Sequence, residues 1–139
     1  LPSAATNATT RHGEASPPTI GAVSAFEEFS ERAGDFALAS ACVAVATDAD
    51  QVRTWCRVGL GAVAATPIRS SSAEAALSGQ RLTEATISDA SSAVVNDCQP
   101  RGGLHCSAEF RRELIVTVVE RALRRAMKRA SDQERREWS

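Results

Sequence analysis

The sequence predicts an α+β fold: a small antiparallel sheet of about three strands packed against three or so helices. Three observations carry that expectation. Residues 52–64 alternate with period two, with Val52, Thr54, Cys56, Val58, Leu60, Ala62 and Ala64 on one face and Arg53, Trp55 and Arg57 on the other. Apolar residues recur at helical spacing in two later stretches, one ending near Asp97 and one running from Ser107. The elements read in the order helix, strand, strand and then mainly helices, which implies helices gathered on one face of a sheet.

Residues 1–23 are rich in Ala, Ser, Thr and Pro, include Pro17-Pro18, and read as a linker or surface loop. Ser24 and Glu27 have capping-box spacing, and Phe26 and Phe29 share a helical face, so a short helix is expected from Ser24 to a stop at Gly34. Residues 35–47 are apolar on both faces and largely small, which suits a buried strand, with a helix as the alternative. Asp48-Ala49-Asp50-Gln51 is a turn composition, so this run and the alternating one form an antiparallel hairpin. Gly59 and Gly61 fall on one face of the second strand, either for packing or for close approach of another chain or ligand. Pro67-Ile68-Arg69 suits a short edge strand. Ser71 and Glu74 repeat the capping-box spacing before a short helix that stops at Gly79. Thr83 caps a helix with the stripe Ile87, Ala90 and Val94, and residues 99–105 form a loop. Ser107 caps the longest helix, whose stripe is Phe110, Leu114, Val118, Ala122 and Ala126, widened by Ile115 and Val119. Arginines gather late in it, where they complement the helix dipole. The boundaries expected are a leader at 1–23, a domain at 24–130 and a flexible tail at 131–139.

Sixteen basic and seventeen acidic residues give a net charge of -1, which argues against a nucleic-acid surface. No apolar run approaches the ~20 residues of a membrane span. Four cysteines, at 42, 56, 98 and 106, are too few and too scattered for a disulfide scaffold; they point to reduced thiols and a cytoplasmic protein. The chain begins with Leu1, which suggests a trimmed chain or a piece of a longer one. It has two histidines, one lysine and no tyrosine, a poor stock for catalysis. Cys98, His105 and Cys106 are the one candidate metal cluster, with a spacing that matches no common zinc knuckle. Gly59-Leu60-Gly61 lacks the third glycine and the helix start of a phosphate loop. Trp55 suits hairpin surface or an interface. The residues alone assign no catalytic group and no metal ligand.

Three stretches resemble one family. Arg32-Ala33-Gly34-Asp35-Phe36-Ala37-Leu38 is similar to a motif near the start of the C-terminal domain of the FAD-binding (medium) subunit of molybdenum hydroxylases. That family includes aerobic carbon monoxide dehydrogenases and the xanthine dehydrogenase group. Residues 59–69 resemble that domain's second strand and its exit, and Ser107-Ala108-Glu109-Phe110-Arg111-Arg112-Glu113-Leu114 resembles the start of its last helix. The chain departs at Phe110, where the family often has tyrosine, and in the loop before Ser107, which lacks the usual aspartate.

The resemblance implies a role as the C-terminal part of a flavin subunit within an oxidoreductase complex, not a complete catalyst alone. Molybdopterin and 2Fe-2S clusters would reside in partner subunits, and FAD would be shared with a preceding domain that carries the diphosphate loops. It also marks Arg32, Gly34, Asp35 and Phe36 as flavin-adjacent, with the charge of Asp35 acting on the flavin potential. From the residues alone, Gly34 ends a helix, Asp35 solvates a turn and Phe36 joins the core; one residue can serve in both ways. The alternative function is a stand-alone, non-catalytic assembly or interaction module of the same fold.

Overall fold

The computed structural model describes residues 22–30, 38–47, 53–62, 66–98 and 107–137. Four strands come first: β1 (Ala22–Phe29), β2 (Ala39–Thr47), β3 (Arg53–Gly61) and β4 (Ile68–Arg69). Three helices follow: α1 (Ser71–Leu77), α2 (Glu84–Ala93), continued by a 3-10 turn at Val94–Asn96, and α3 (Ala108–Glu137). The strands make one antiparallel sheet in the order β1-β2-β3-β4, so neighbours in sequence are neighbours in space. The α+β architecture matches the sequence expectation, with one strand more.

Alternation sorts the side chains. Ala25 of β1, Ala39, Ala41, Val43 and Val45 of β2, and Cys56, Val58 and Leu60 of β3 all point to one buried face. Opposite them lie Leu114, Ile115, Val118, Val119, Ala122, Leu123 and Ala126 of α3, which crosses β1 and β2. Helix α1 packs against β3, and α2 joins α1 to α3 through Ile87, Ala90 and Val94. Alanines on both sides suit close approach of helix and sheet, while each fully buried Leu, Ile or Val contributes about 1.5–3 kcal/mol of burial.

Four local expectations are corrected. Residues 24–29, expected to be helical, belong to β1, which pairs with β2 from Ala22↔Ala46 to Phe29↔Ala39. Phe26 and Phe29 therefore lie on opposite faces: Phe26 is 51% exposed, whereas Phe29 packs against the core. The period-two pattern is hidden because Glu27 occupies an inward position, where its carboxylate meets Arg125 of α3 at 2.5 Å. At α1 the cap is Ser70, whose Oγ accepts from the Ala73 amide, and Glu74 bonds elsewhere. Phe110 stands 44% exposed, so the buried stripe of α3 begins at Leu114. Finally, α3 continues past residue 130 to Glu137.

The other helix signals hold. Thr83 caps α2 in a reciprocal box with Thr86, and Ser107 Oγ accepts from the Phe110 amide. Gly79, just after α1, has φ of 70°, a left-handed conformation that glycine adopts without strain.

Candidate functional site

Strand register defines the outer face of the sheet, the one turned away from α3. Register places Ala22, Ala46 and Trp55 in one row across it, then Ser24, Ala44 and Arg57. Phe26, Cys42, Gly59 and Arg69 form the third row, and Glu28, Ser40 and Gly61 the fourth. Apart from Trp55, Phe26 and the charged side chains, these residues are small. Phe26 and Cys42 are exposed, and the Arg57 guanidinium lies over the Trp55 ring, 4.8 Å from its centroid.

Gly59 is not required by the chain's own packing. A Cβ there would make only ordinary contacts, 3.7 Å from the Cys42 carbonyl and 3.9 Å from that of Ile68. At Gly61 a Cβ would collide with the Ser40 hydroxyl, so that side chain would have to turn. With no side chain at either position, the outer face is low there.

The four residues singled out by sequence, Arg32, Gly34, Asp35 and Phe36, lie outside the described residues, in the segment 31–37 between β1 and β2. Its two ends are placed: the Leu38 amide donates to the Phe29 carbonyl at 2.7 Å, closing the pair of strands beside the row of Glu28, Ser40 and Gly61. His105 and Cys106 also lie outside the described residues. Among the described residues, no group of three His, Cys, Asp or Glu side chains is placed to hold a metal. No helix among them is long and apolar enough to cross a membrane.

Two polar networks, neither anticipated from sequence, brace the end of the sheet. The Glu74 carboxylate accepts two bonds from Arg69 Nε, at 3.0 and 2.8 Å, and one from Nη2 at 2.7 Å. It also accepts the Val58 amide at 3.0 Å, while the Val58 carbonyl takes the Ser70 amide at 2.8 Å. Side chain and turn thus complete the ladder beside β3 where β4 gives way to α1. The hydrogen bond to Glu74 raises the Arg69 pKa, against a smaller lowering by burial.

In the second network Asp97, after the 3-10 turn, reaches the start of α1. It accepts from Ser70 Oγ at 2.7 Å, the Ser72 amide at 2.8 Å and Ser72 Oγ at 2.9 Å. Burial pushes the Asp97 carboxyl up, but these three bonds together outweigh it and hold the group below its ordinary value. Next to it, burial pushes the Cys98 thiol up, helped by the charge of Asp97 and partly offset by Arg112. A raised thiol beside a carboxylate is a poor nucleophile.

A dinucleotide cofactor needs amides for its diphosphate, usually at a helix N-terminus. Among the described residues, each helix start is closed by side chains of the chain itself: Ser70 and Asp97 at α1, Thr83 and Thr86 at α2, Ser107 at α3. An anion at α1 would also have to displace the Asp97 carboxylate. The described residues therefore fit no diphosphate, and near segment 31–37 they place only the two strand ends that flank it. Elsewhere, Ser92, Val95, Arg112, Glu113, Val116 and Thr117 line an open groove of about 540 Å³ between α2 and α3, away from the sheet.

The comparisons with known proteins agree with this geometry. The chain is 36% identical over 110 residues to the 6-hydroxypseudooxynicotine dehydrogenase complex subunit alpha of Paenarthrobacter nicotinovorans, spanning 79% of this chain and 37% of that protein. A carbon monoxide dehydrogenase from Hydrogenophaga pseudoflava, in a form lacking the Mo-pyranopterin moiety of its molybdenum cofactor, superposes with a TM-score of 0.74 at 30% identity. That match covers 80% of this chain and 38% of the other. Quinoline 2-oxidoreductase from Pseudomonas putida 86 gives 0.72 at 26% identity, over 81% and 39% of the two chains. The chain thus spans less than two-fifths of the length of each of these relatives. Residues 24–126 match the CO dehydrogenase flavoprotein C-terminal domain family, and the chain belongs to it: the C-terminal domain family of the flavoprotein subunits of molybdenum hydroxylases.

Proposed function

We propose that this chain acts as the C-terminal part of the FAD-binding subunit of a molybdenum-hydroxylase-type oxidoreductase. In that role Arg32, Gly34, Asp35 and Phe36 form one wall beside the flavin ring. The outer sheet face meets the part of the subunit that carries the diphosphate loops. Electrons would reach the FAD from 2Fe-2S clusters in one partner subunit, supplied by a molybdopterin centre in another, and leave to an external acceptor. The observation that carries this reading is the family match over residues 24–126, joined to a relative that is itself a subunit of a dehydrogenase complex. The closed helix starts support a shared cofactor, because a diphosphate has to be held by another segment.

FAD titration followed by flavin fluorescence tests it. The chain alone is expected to bind FAD weakly or not at all, and tight binding is expected once the preceding domain is supplied. In that assembled form Asp35→Asn should raise the flavin potential, because a negative charge beside the ring opposes the anionic reduced flavin. A sub-micromolar dissociation constant for the chain by itself overturns the shared-cofactor reading. An unchanged potential removes Asp35 from the ring.

A further inference from the structure

Among the described residues, β1 forms one edge of the sheet. Its odd-numbered positions turn their backbone groups toward β2, as the bond from the Leu38 amide to the Phe29 carbonyl shows. Alternation in an antiparallel ladder then turns the groups of Ser24 and Phe26 outward. Such an edge is a template for an additional strand, and proteins commonly block it.

Here the outward carbonyls are taken by one helix. Arg125 Nη1 donates to the Phe26 carbonyl at 3.4 Å, and Arg129 Nη1 donates to the Ser24 carbonyl. The two spacings match. Four residues of helix advance about 6 Å, and two residues of strand about 7 Å, so arginines at i and i+4 meet alternate carbonyls. Arg125 is held in place by its ion pair with Glu27, whose side chain is largely buried.

We propose that Arg125 and Arg129 guard the β1 edge against strand addition, and that the strand they exclude is β1 of a second copy of this chain. The sequence of β1, AVSAFEEF, is compatible with pairing to itself. In the antiparallel register that sets Ser24 opposite Phe26 of the second copy, Ala25 faces its own equivalent. Glu27 and Glu28 then face Val23 and Ala22, so no like charges oppose each other. The hydrogen bonds of that pairing would use the two carbonyls that the arginines occupy.

The test compares the chain with its R125A/R129A variant by sedimentation equilibrium over a concentration series and by amide hydrogen exchange. The variant is expected to dimerise, with exchange at the Ser24 and Phe26 amides slowed about tenfold or more as the dimer forms. In the unaltered chain both amides should exchange quickly. Should the double variant lose its helical circular dichroism, R129A alone, which keeps the Arg125–Glu27 pair, is put through the same two measurements. A folded variant that stays monomeric overturns the proposal, and so does one that associates without protecting those two amides.

Discussion

The two faces of the sheet come from the same strands and the same alternation, yet they hold different populations. Facing α3, β2 presents Ala39, Ala41, Val43 and Val45, all fully buried. On the outer side it presents Ser40, Cys42 and Ala44, beside Gly59 and Gly61 of β3. The inner face is filled by partners from the chain itself, whereas the outer face is low and carries an exposed phenylalanine. Volume on the inner face serves the fold, and its scarcity on the outer face leaves room for another surface. Substitutions on the two faces should therefore separate stability from assembly.

The largest effect is expected inside. Leu123 of α3 is fully buried in the core that the helices share with the inner face of the sheet. Leu123→Ala removes that side chain and leaves a cavity, a loss of about 2–5 kcal/mol. Cys42→Ala, on the outer face, should change the stability of the chain by no more than about 0.5 kcal/mol. Urea unfolding of the two variants reads the contrast directly. Similar midpoints for both would mean that the outer face contributes as much to the fold as the inner one.

An intermediate effect belongs to Asp97, which ties the end of α2 to the start of α1 without lying on either sheet face. Asp97→Asn weakens acceptance from three donors on Ser70 and Ser72, a loss of about 1–2 kcal/mol for a cap of this kind. Partial exposure keeps it at the lower end. The pH dependence follows from the direction of the shift. The carboxyl is held below its ordinary value in the folded chain, so its contribution is fully present above about pH 4, the unfolded carboxyl range. It is lost as pH falls through the lower, folded value. The stability gap between the chain and Asp97→Asn should thus be constant near neutrality and close in acid. A gap that persists unchanged at pH 2 would show that carboxylate charge is not its source.

What the sequence revealed and what it hid follow one division. Elements whose period is written in their own residues were legible: β3 from Cys56, Val58 and Leu60, α2 from Ile87, Ala90 and Val94, α3 from Leu114 onward. Elements that depend on a distant partner were not. An inward Glu27 spoils the pattern of β1 until Arg125, far along the chain, neutralises it. Glu74 resembles a capping residue until β3 supplies the Val58 amide that its carboxylate accepts. The segment holding Arg32, Gly34, Asp35 and Phe36 lies outside the described residues, and its assignment to the flavin rests on a resemblance to a family motif alone, because no period or spacing in it specifies a flavin.

The smallest expected effect is the sharpest test of the outer face. Glycine inside a strand is destabilising by about 0.5–1 kcal/mol relative to alanine, through the backbone freedom it loses on folding. A Cβ at Gly59 would meet only ordinary contacts, with the carbonyls of Cys42 and Ile68. Gly59→Ala should therefore make the chain slightly more stable, by about 0.5–1 kcal/mol. If the outer face meets the flavin-carrying part of the subunit, the same methyl group stands in that contact and weakens it. One substitution then moves two measurements in opposite directions: the unfolding midpoint of the chain rises, and its affinity for the preceding domain falls. A lower midpoint would mean that β3 needs this glycine for its own packing. A higher midpoint with unchanged affinity would place the contact on another part of the molecule.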